Sequence, residues 1–197
     1  MVETYDKKDI QTLPTEVFEG PIYIINTVAE ARKAINYLMT KDILGFDTET
    51  RPSFKKGRVN QVALLQVATH DQCFLFRLNH MENIPSSIIH LLQDKTITKV
   101  GLSLKDDMRN LQKRQSFQPG TFIDIQNEIV HIGIKDKSLQ KIYANLFGKK
   151  IAKRQQLSNW ETDSLTEAQK RYAATDAWAC IKIYEAIQQI INEKNIP

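Results

Sequence analysis

Apolar positions along the chain predict strands in its first part and alternating strands and helices in its second part. Short apolar runs bounded by polar or turn residues predict early strands at residues 21–25, 43–46, 61–68 and 72–78. Short connections join the last three of these strands, so we expect them to be antiparallel neighbours. The later strands, at residues 97–101 and 121–125, alternate with helices and are expected to join the same sheet in parallel.

Helical spacing and helix start signals predict the helices that flank this sheet. Thr27 and Glu30 form a capping box, and Thr166 and Gln169 form another ahead of the last helix. Two further helices are predicted at residues 86–93 and 104–114. The fold class is therefore α/β, with a mixed sheet of five to six strands in which three antiparallel strands are followed by parallel ones.

The chain is predicted to form one domain behind a polar extension. Residues 1–20 carry scattered apolar positions without a clear period, so we expect them to pack loosely on the rest. Residues 21–197 contain no internal repeat, low-complexity tract or linker. A chain of 197 residues can bury one good core but is too short for two domains of ordinary size.

Two carboxylates, one residue apart, follow the apolar run at residues 43–46. Alternate side chains of a strand share a face, so Asp47 and Glu49 point one way and Thr48 points the other. Acids about 7 Å apart on one face repel each other unless a cation lies between them. A solvated strand end is the simpler interpretation of this pair, unless further acids point to the same place.

Asp107 is a third candidate acid. Ser103 is expected to cap the helix at residues 104–114, and Asp106, in its first turn, is explained by the favourable helix dipole. Asp107 lacks that explanation, because it lies beside the apolar stripe of the helix. The helix start follows a strand, and ligands of open α/β sheets commonly bind at that edge.

Tyr172 and Asp176 are the fourth and fifth candidates, since residues four apart share one face of a helix. Small residues around them let the last helix approach its neighbour closely. A buried aspartate there is costly unless it is paired or bound to a metal, and a simple hydrogen bond to Tyr172 is the structural alternative. Asp124, at the end of a predicted strand, is better explained as a strand-end or helix-cap residue.

Composition adds a weak indication of the partner. The formal net charge is +4 and the isoelectric point is about 9.0, which suits an anionic polymer. The four histidines show no metal-ligand spacing. Several basic groups are typical of solvated surfaces when taken singly, but together could hold a phosphate backbone: Lys55-Lys56-Arg58, Lys113-Arg114, Lys149-Lys150 and Lys153-Arg154.

The N-terminus and the cysteines indicate where the protein resides. The N-terminus lacks the apolar core of a signal peptide, and no apolar run approaches membrane-spanning length. Cys73 and Cys180 show no CxxC spacing and are expected to be buried free thiols in a reducing compartment. We therefore expect an intracellular, soluble, cytoplasmic protein without a membrane partner.

The acids and the tyrosine, taken in order, resemble the motifs of the DEDD superfamily of 3′–5′ exonucleases. The matches are Asp47-Thr48-Glu49 for Asp-x-Glu, Asp107 to Leu111 for the second motif, and Tyr172 to Asp176 for Tyr-x-x-x-Asp. Arg171 stands where the histidine subclass carries its histidine, so the tyrosine subclass (DEDDy) is indicated. Ser103 departs from the Asn that is usual in polymerase proofreading domains, which argues against that affinity.

Flanking residues resemble a narrower group, the exonuclease domain of the Werner syndrome helicase and, more distantly, ribonuclease D. The similar segments are residues 62–66, 99–101, 157–160 and 172–177. The resemblance implies a ribonuclease H-like fold and a metal-dependent 3′–5′ exonuclease that releases nucleoside 5′-monophosphates by a two-metal-ion mechanism. Its implied cofactors are two divalent cations, Mg²⁺ or Mn²⁺.

The resemblance also implies residue roles. Asp47, Glu49, Asp107 and Asp176 would hold the metals, Tyr172 would orient the attacking water, and the Thr48 backbone would contact the terminal nucleotide. The implied partner is DNA or RNA with a free 3′ end, and no obligate protein partner is evident. The alternative is a catalytically weak nucleic-acid-binding module or scaffold on the same fold.

Overall fold

The computed structural model describes residues 2–53, 57, 60–152 and 154–194. Within them, six strands form one sheet: β1 (Ile22–Ile25), β2 (Ile43–Thr50), β3 (Val62–Ala68), β4 (Cys73–Arg77), β5 (Thr98–Gly101) and β6 (Phe122–Asp124). The α-helices are α1 (Lys7–Thr12), α2 (Val28–Leu38), α3 (Ser86–Gln93), α4 (Leu104–Arg114), α5 (Ile125–Glu128), α6 (Leu139–Phe147) and α7 (Glu167–Lys194). Short 3₁₀ turns cover Leu78–His80 and Ile129–Ile132.

The sheet is mixed, as predicted. Its strand order is β1-β4-β3-β2-β5-β6. β2, β3 and β4 are antiparallel neighbours, whereas β5 joins β2 in parallel and β6 joins β5 in parallel. Since β2 and β5 run in the same direction at the centre, the ends of both strands reach the same edge of the sheet.

Helices cover both faces of the sheet, which makes three layers. On one face, Leu44 and Phe46 of β2 enter an apolar core beneath α2, α3 and α4. On the other face, α7 packs across the strands with small residues, including Ala173, Ala174 and Ala177. The alternation predicted for β2 is therefore confirmed.

Gly45 allows α7 to cross β2 at very short range. A Cβ atom at this position would lie 1.9 Å from the carbonyl oxygen of Ala177. Only a residue without a side chain fits such a close approach. The crossing brings the residue before Ala177, Asp176, next to the end of β2.

The N-terminal segment is anchored to the rest of the chain by two buried apolar residues and by hydrogen bonds to α7, so the expectation of loose packing is wrong. Ile10 is 3% exposed and Phe18 is 2% exposed. The Phe18 N–H donates to Thr175 Oγ1 at 3.0 Å, and Arg171 Nη1 donates to the carbonyl oxygens of Phe18 and Gly20 at 2.9 and 3.0 Å. These bonds connect the N-terminal segment to α7. The domain boundary at residue 20 stays a prediction.

Glu16, in the same segment, is the centre of a hydrogen-bonded group that we name the Glu16 network. Tyr143 Oη donates to Glu16 Oε2 at 2.5 Å, and Lys149 Nζ lies 2.9 Å from Glu16 Oε1. Lys182 Nζ, on α7, lies 3.4 Å from Glu16 Oε2. One carboxylate thus joins the N-terminal segment to α7 and to the end of α6.

Some basic residues that were predicted to be solvated serve the fold instead. The Arg114 guanidinium donates to the carbonyl oxygens of Val62, Leu78 and Met81. Lys149 belongs to the Glu16 network. Other members of the basic groups lie outside the described residues: Lys55, Lys56, Arg58 and Lys153.

The remaining simple expectations are met where the structure describes them. Cys73 and Cys180 are buried and free. The four histidines are exposed. Among the described residues, no helix has both the length and the apolar character needed to cross a membrane.

Candidate active site

The end of β2 carries the first two candidate acids. Asp47 and Glu49 lie on the face covered by α7. Asp47 is half-buried, and Glu49 is 9% exposed. The register between β2 and β3 places Asp47 opposite Gln66 and is interrupted by an irregularity after Glu49. The pairing resumes between Thr50 and Val62, so the irregularity is a local distortion of β2 directly after the acids.

Helix α7 brings a third acid to the same point. Its predicted capping box is present, since the Thr166 N–H donates to Gln169 Oε1 at 3.0 Å and the Gln169 N–H donates to Thr166 Oγ1 at 3.2 Å. One carboxylate oxygen from each of Asp47, Glu49 and Asp176 lies within 4.8 Å of the other two. We name these three residues the acid cluster.

Tyr172 lies one turn before Asp176 and is 8% exposed. Its hydroxyl forms a hydrogen bond with Asp176, and its ring lies 6.0 Å from that of the fully buried Trp160. The hydrogen bond matches the structural alternative for this pair. The acid cluster shows, however, that the bond is made beside two further acids and not in an isolated core.

Asp107 lies just outside the acid cluster. It is half-buried at the start of α4, and its carboxylate accepts a hydrogen bond from Thr48 Oγ1. The Thr48 N–H donates to Asp47 Oδ1 at 2.9 Å, so Thr48 contacts an acid on each side of β2. The role of the Thr48 hydroxyl was not predicted, although alternation along β2 already placed that side chain on the α4 face.

The start of α4 differs from the prediction. Ser103 adopts a left-handed conformation with φ of 59°, and its side chain makes no capping hydrogen bond. Asp124 instead accepts from the N–H groups of Ser103 and Leu104, both at 2.9 Å. Asp124 also caps α5 through the Gln126 N–H, which confirms its predicted structural role. Asp106 is exposed and pairs with Arg109.

The electrostatics of the acids are unfavourable without a cation. Burial and the neighbouring charges of Asp47, Asp176 and Asp107 raise the pKa of Glu49 to about 10. Burial, followed by the charges of Asp176 and Asp107, raises the pKa of Asp47 well above its ordinary range. Burial also raises the pKa of Asp107 to about 6, although the hydrogen bond from Thr48 opposes this.

Tyr172 shares this environment. Burial and the charges of Asp176 and Glu49 raise its pKa above the ordinary tyrosine value. A phenol in this position keeps its proton at neutral pH. It can therefore donate a hydrogen bond but does not act as a base.

The acid cluster opens into a cavity of about 290 Å³. Part of its lining comes from the start of α6 and from the segment after it, which sequence patterns did not single out. The lining residues from these segments are Ser138, Leu139, Gln140, Ile151, Ala152 and Gln156. Gln140 Nε2 donates to the carbonyl oxygen of Ile151 at 2.8 Å and holds the two segments together.

The donor set suits hard divalent cations. Three carboxylate oxygens converge, and among the described residues no lysine or arginine forms an ion pair with Asp47, Glu49 or Asp107. Carboxylates and water are the ligands preferred by Mg²⁺ and Mn²⁺. The only histidine, cysteine or carboxylate group of metal-binding geometry within the described chain is this oxygen-only set.

A mixed sheet with buried acids at its edge and a covering helix defines the class of the ribonuclease H-like nucleases. The model of the 3′–5′ exonuclease domain family matches residues 22–192. The chain therefore belongs to the 3′–5′ exonuclease family.

Individual relatives agree with this assignment. The chain is 33% identical to the mouse bifunctional 3′-5′ exonuclease/ATP-dependent helicase WRN over 152 residues, which are 74% of this chain and 11% of that protein. It is 30% identical to a 3′-5′ exonuclease of Arabidopsis thaliana, covering 91% of this chain and 68% of the plant protein. The predicted resemblance to the Werner-type exonuclease domain is thus confirmed.

The fold is confirmed by solved structures. The EXO domain of Nibbler from Aedes aegypti superposes with a TM-score of 0.79 and 22% identity, covering 99% of this chain and 95% of that domain. This similarity shows the ribonuclease H-like fold that the motifs implied.

Proposed function

We propose that this protein is a metal-dependent exonuclease that removes nucleoside 5′-monophosphates from the 3′ end of DNA or RNA. The observation that carries the proposal is the acid cluster, in which three carboxylates meet at the end of β2 beside a cavity. Family membership gives the reaction class, and the motif with Tyr172 favours the DEDDy subclass. We further propose a cytoplasmic location for this reaction.

Asp47, Glu49 and Asp176 would hold the metal ions, with Asp47 central because the charges of both Asp176 and Asp107 act on it. Asp107 would support the second ion, and the Thr48 hydroxyl fixes its carboxylate. Bound Mg²⁺ or Mn²⁺ would supply an activated nucleophile and stabilise the charge that develops in the phosphodiester displacement. The acids themselves would hold and orient the metals.

Tyr172 would orient the attacking water. Its raised pKa keeps the hydroxyl protonated, so it positions the water by a hydrogen bond. The Thr48 backbone remains our candidate for contact with the terminal nucleotide, since Thr48 lines the cavity. The lining residues Gln140, Ile151 and Gln156 would then face the sugar and base of the terminal nucleotide.

The test is release of mononucleotides from 5′-labelled DNA and RNA oligonucleotides, single-stranded or with recessed 3′ ends, in Mg²⁺, Mn²⁺ or EDTA. Asp176→Asn and Asp107→Ala should abolish or strongly reduce the release. Asp106→Ala is the matched control, because Asp106 is adjacent to Asp107 but exposed. Wild-type activity in Asp176→Asn would refute the proposed site.

Tyr172→Phe separates positioning from metal binding. We expect a lower rate with nearly unchanged Mn²⁺ affinity, because the phenol orients water and is not a ligand. Lost Mn²⁺ affinity would make Tyr172 a structural residue. Nucleic-acid binding with no hydrolysis in any metal would instead support the scaffold alternative.

A further inference from the structure

Gln66 is a polar residue inside an otherwise apolar strand. All seven residues of β3 are buried, and Gln66 has no exposed surface. Within the described residues, neither its amide nitrogen nor its amide oxygen has a hydrogen-bond partner. Buried amides are nearly always paired, because an unpaired amide has lost its hydrogen bonds to water without replacement. A leucine would be the cheaper residue at this position.

The strand register places Gln66 beside the acid cluster. Gln66 is the direct partner of Asp47 on β2 and of Leu75 on β4. Directly opposed residues of antiparallel strands point to the same face, with Cβ atoms about 4.5–5.5 Å apart. Gln66 therefore lies on the α7 face with the Asp47 carboxylate on one side and an apolar side chain on the other.

The amide nitrogen of Gln66 needs an acceptor. Leu75 offers none. Trp160 Nε1 is also buried without a partner in the described part of the chain, and it packs in the same layer. An indole N–H is only a donor, so it can serve Gln66 Oε1 but not Gln66 Nε2. The acceptor that the register places beside Gln66 Nε2 is the carboxylate of Asp47.

We propose that Gln66 is a positioning residue of the metal site, whose amide N–H donates to the Asp47 carboxylate when that carboxylate holds a metal ion. The Cα atoms of the two residues are already cross-strand partners, so only side-chain torsions need to turn. Hydrogen bonds to metal-ligating groups fix their orientation, and their removal typically weakens metal binding about 10- to 100-fold. The inference rests on the proposed role of Asp47 as a metal ligand.

The experiment measures Mn²⁺ binding by calorimetry and thermal unfolding in EDTA, both without nucleic acid. We expect Gln66→Leu and Gln66→Met to raise the Mn²⁺ dissociation constant about tenfold or more. The melting temperature in EDTA should stay at or above the wild-type value, because each change replaces an unpaired amide by an apolar group. Leu75→Met alters packing on the other side of Gln66 and should leave Mn²⁺ affinity unchanged.

Each outcome decides one question. Wild-type Mn²⁺ affinity in both Gln66 variants would overturn the inference and leave the proposed function intact. A wild-type protein that binds no Mn²⁺ would refute the metal site itself. If neither variant folds, NMR of the wild type decides, because the side-chain amide signals of Gln66 should shift during titration with Mg²⁺. Unmoved signals would contradict the positioning role.

Discussion

Helix α7 contributes to two carboxylate sites of opposite character. In the Glu16 network, one carboxylate meets Lys149, Lys182 and the Tyr143 hydroxyl. Partial burial would raise the pKa of Glu16, but the hydrogen bonds from Tyr143 and Lys149 and the charge of Lys182 hold it below its ordinary value. Lys182 lies six residues, or about 9 Å along the helix, beyond Asp176 in the acid cluster.

In the acid cluster, Asp47 and Glu49 form no ion pair with a lysine or arginine within the described residues. After burial, the charge of Asp176 raises the pKa of both Asp47 and Glu49, so the folded state is strained whenever these acids are ionised. The same helix thus pairs Lys182 with a carboxylate that secures the fold and contributes Asp176 to a cluster that is costly to the fold. A costly arrangement of this kind indicates a ligand that the folded protein binds.

Glu49→Gln should have the largest effect, because it removes one carboxylate from the acid cluster. We expect a fall in exonuclease rate of about 10²–10³-fold, as for loss of a group that stabilises the transition state. The metal-free protein should become more stable, because one of the repelling acids is gone. Activity assays and thermal unfolding in EDTA measure both effects. An unchanged rate, or a lower melting temperature in EDTA, would contradict the assignment of the acid cluster.

A divalent metal should reduce the repulsion among the carboxylates of the acid cluster. It should not change the contribution of the Glu16 network to stability. Mn²⁺ at about 100 times its dissociation constant should raise the free energy of unfolding by about 2.7 kcal/mol, because it binds the folded state. Urea unfolding with Mn²⁺ or EDTA provides the measurement, and Glu16→Gln should show the same increment as the wild type. Equal stability with and without metal would rule out binding at the cluster.

The metal-free protein should lose stability as pH rises from about 5 to 8. The folded-state pKa of Glu49 is raised from 4.5 to about 10 and that of Asp107 from 3.8 to about 6, so the folded state keeps protons that the unfolded chain has released. The stability that these retained protons contribute is fully present below the unfolded pKa values. It decreases as pH rises toward the folded-state values. The slope is at most about 1.4 kcal/mol per pH unit for each proton.

Urea unfolding in EDTA at several pH values tests this slope. Glu49→Gln should flatten it, since one of the retained protons is removed. The lowered pKa of Glu16 has the opposite sign, and its contribution is lost only as pH falls below about 4.5. Stability that stays constant or rises between pH 5 and 8 in EDTA would show that the acids are not strained.

Glu16→Gln should have the smallest effect. We expect a loss of about 1 kcal/mol, because the Lys149 and Lys182 side chains are partly exposed and the pairs are screened by solvent. In a chain of this size that corresponds to about 2–4 °C in melting temperature, with no change in exonuclease rate. Thermal unfolding resolves this shift, and an unchanged midpoint would mean that the network contributes nothing.

The parts of the site that were predicted depend on short-range periodicity. Alternation along β2 correctly placed Asp47 and Glu49 on one face, and helical spacing placed Tyr172 beside Asp176. Both patterns are set by backbone geometry within a few residues, so the sequence suffices. Asp124 was also correctly predicted as a cap, because a strand end leads directly into a helix.

The missed parts depend on contacts between distant segments. Phe18 looks like an isolated apolar residue in a polar segment. Its burial depends on contact with α7, where its N–H donates to Thr175, 157 residues away. Ser103 was expected to cap α4, but the carboxylate of Asp124 from another strand takes that role. Gln66 did leave a signal, as the one polar residue in the apolar run of β3.

Gly45 shows how much the chemistry depends on a residue that takes no part in it. A methyl group there would have to push the Ala177 carbonyl from 1.9 Å to at least about 3 Å, and Asp176 would move with it. Misplacement by about 1 Å can cost 100-fold in rate. In an unbiased screen for inactive variants, position 45 should therefore appear together with the acids. Variants there would be inactive because the distance between β2 and α7 has changed, although no reactive group is lost.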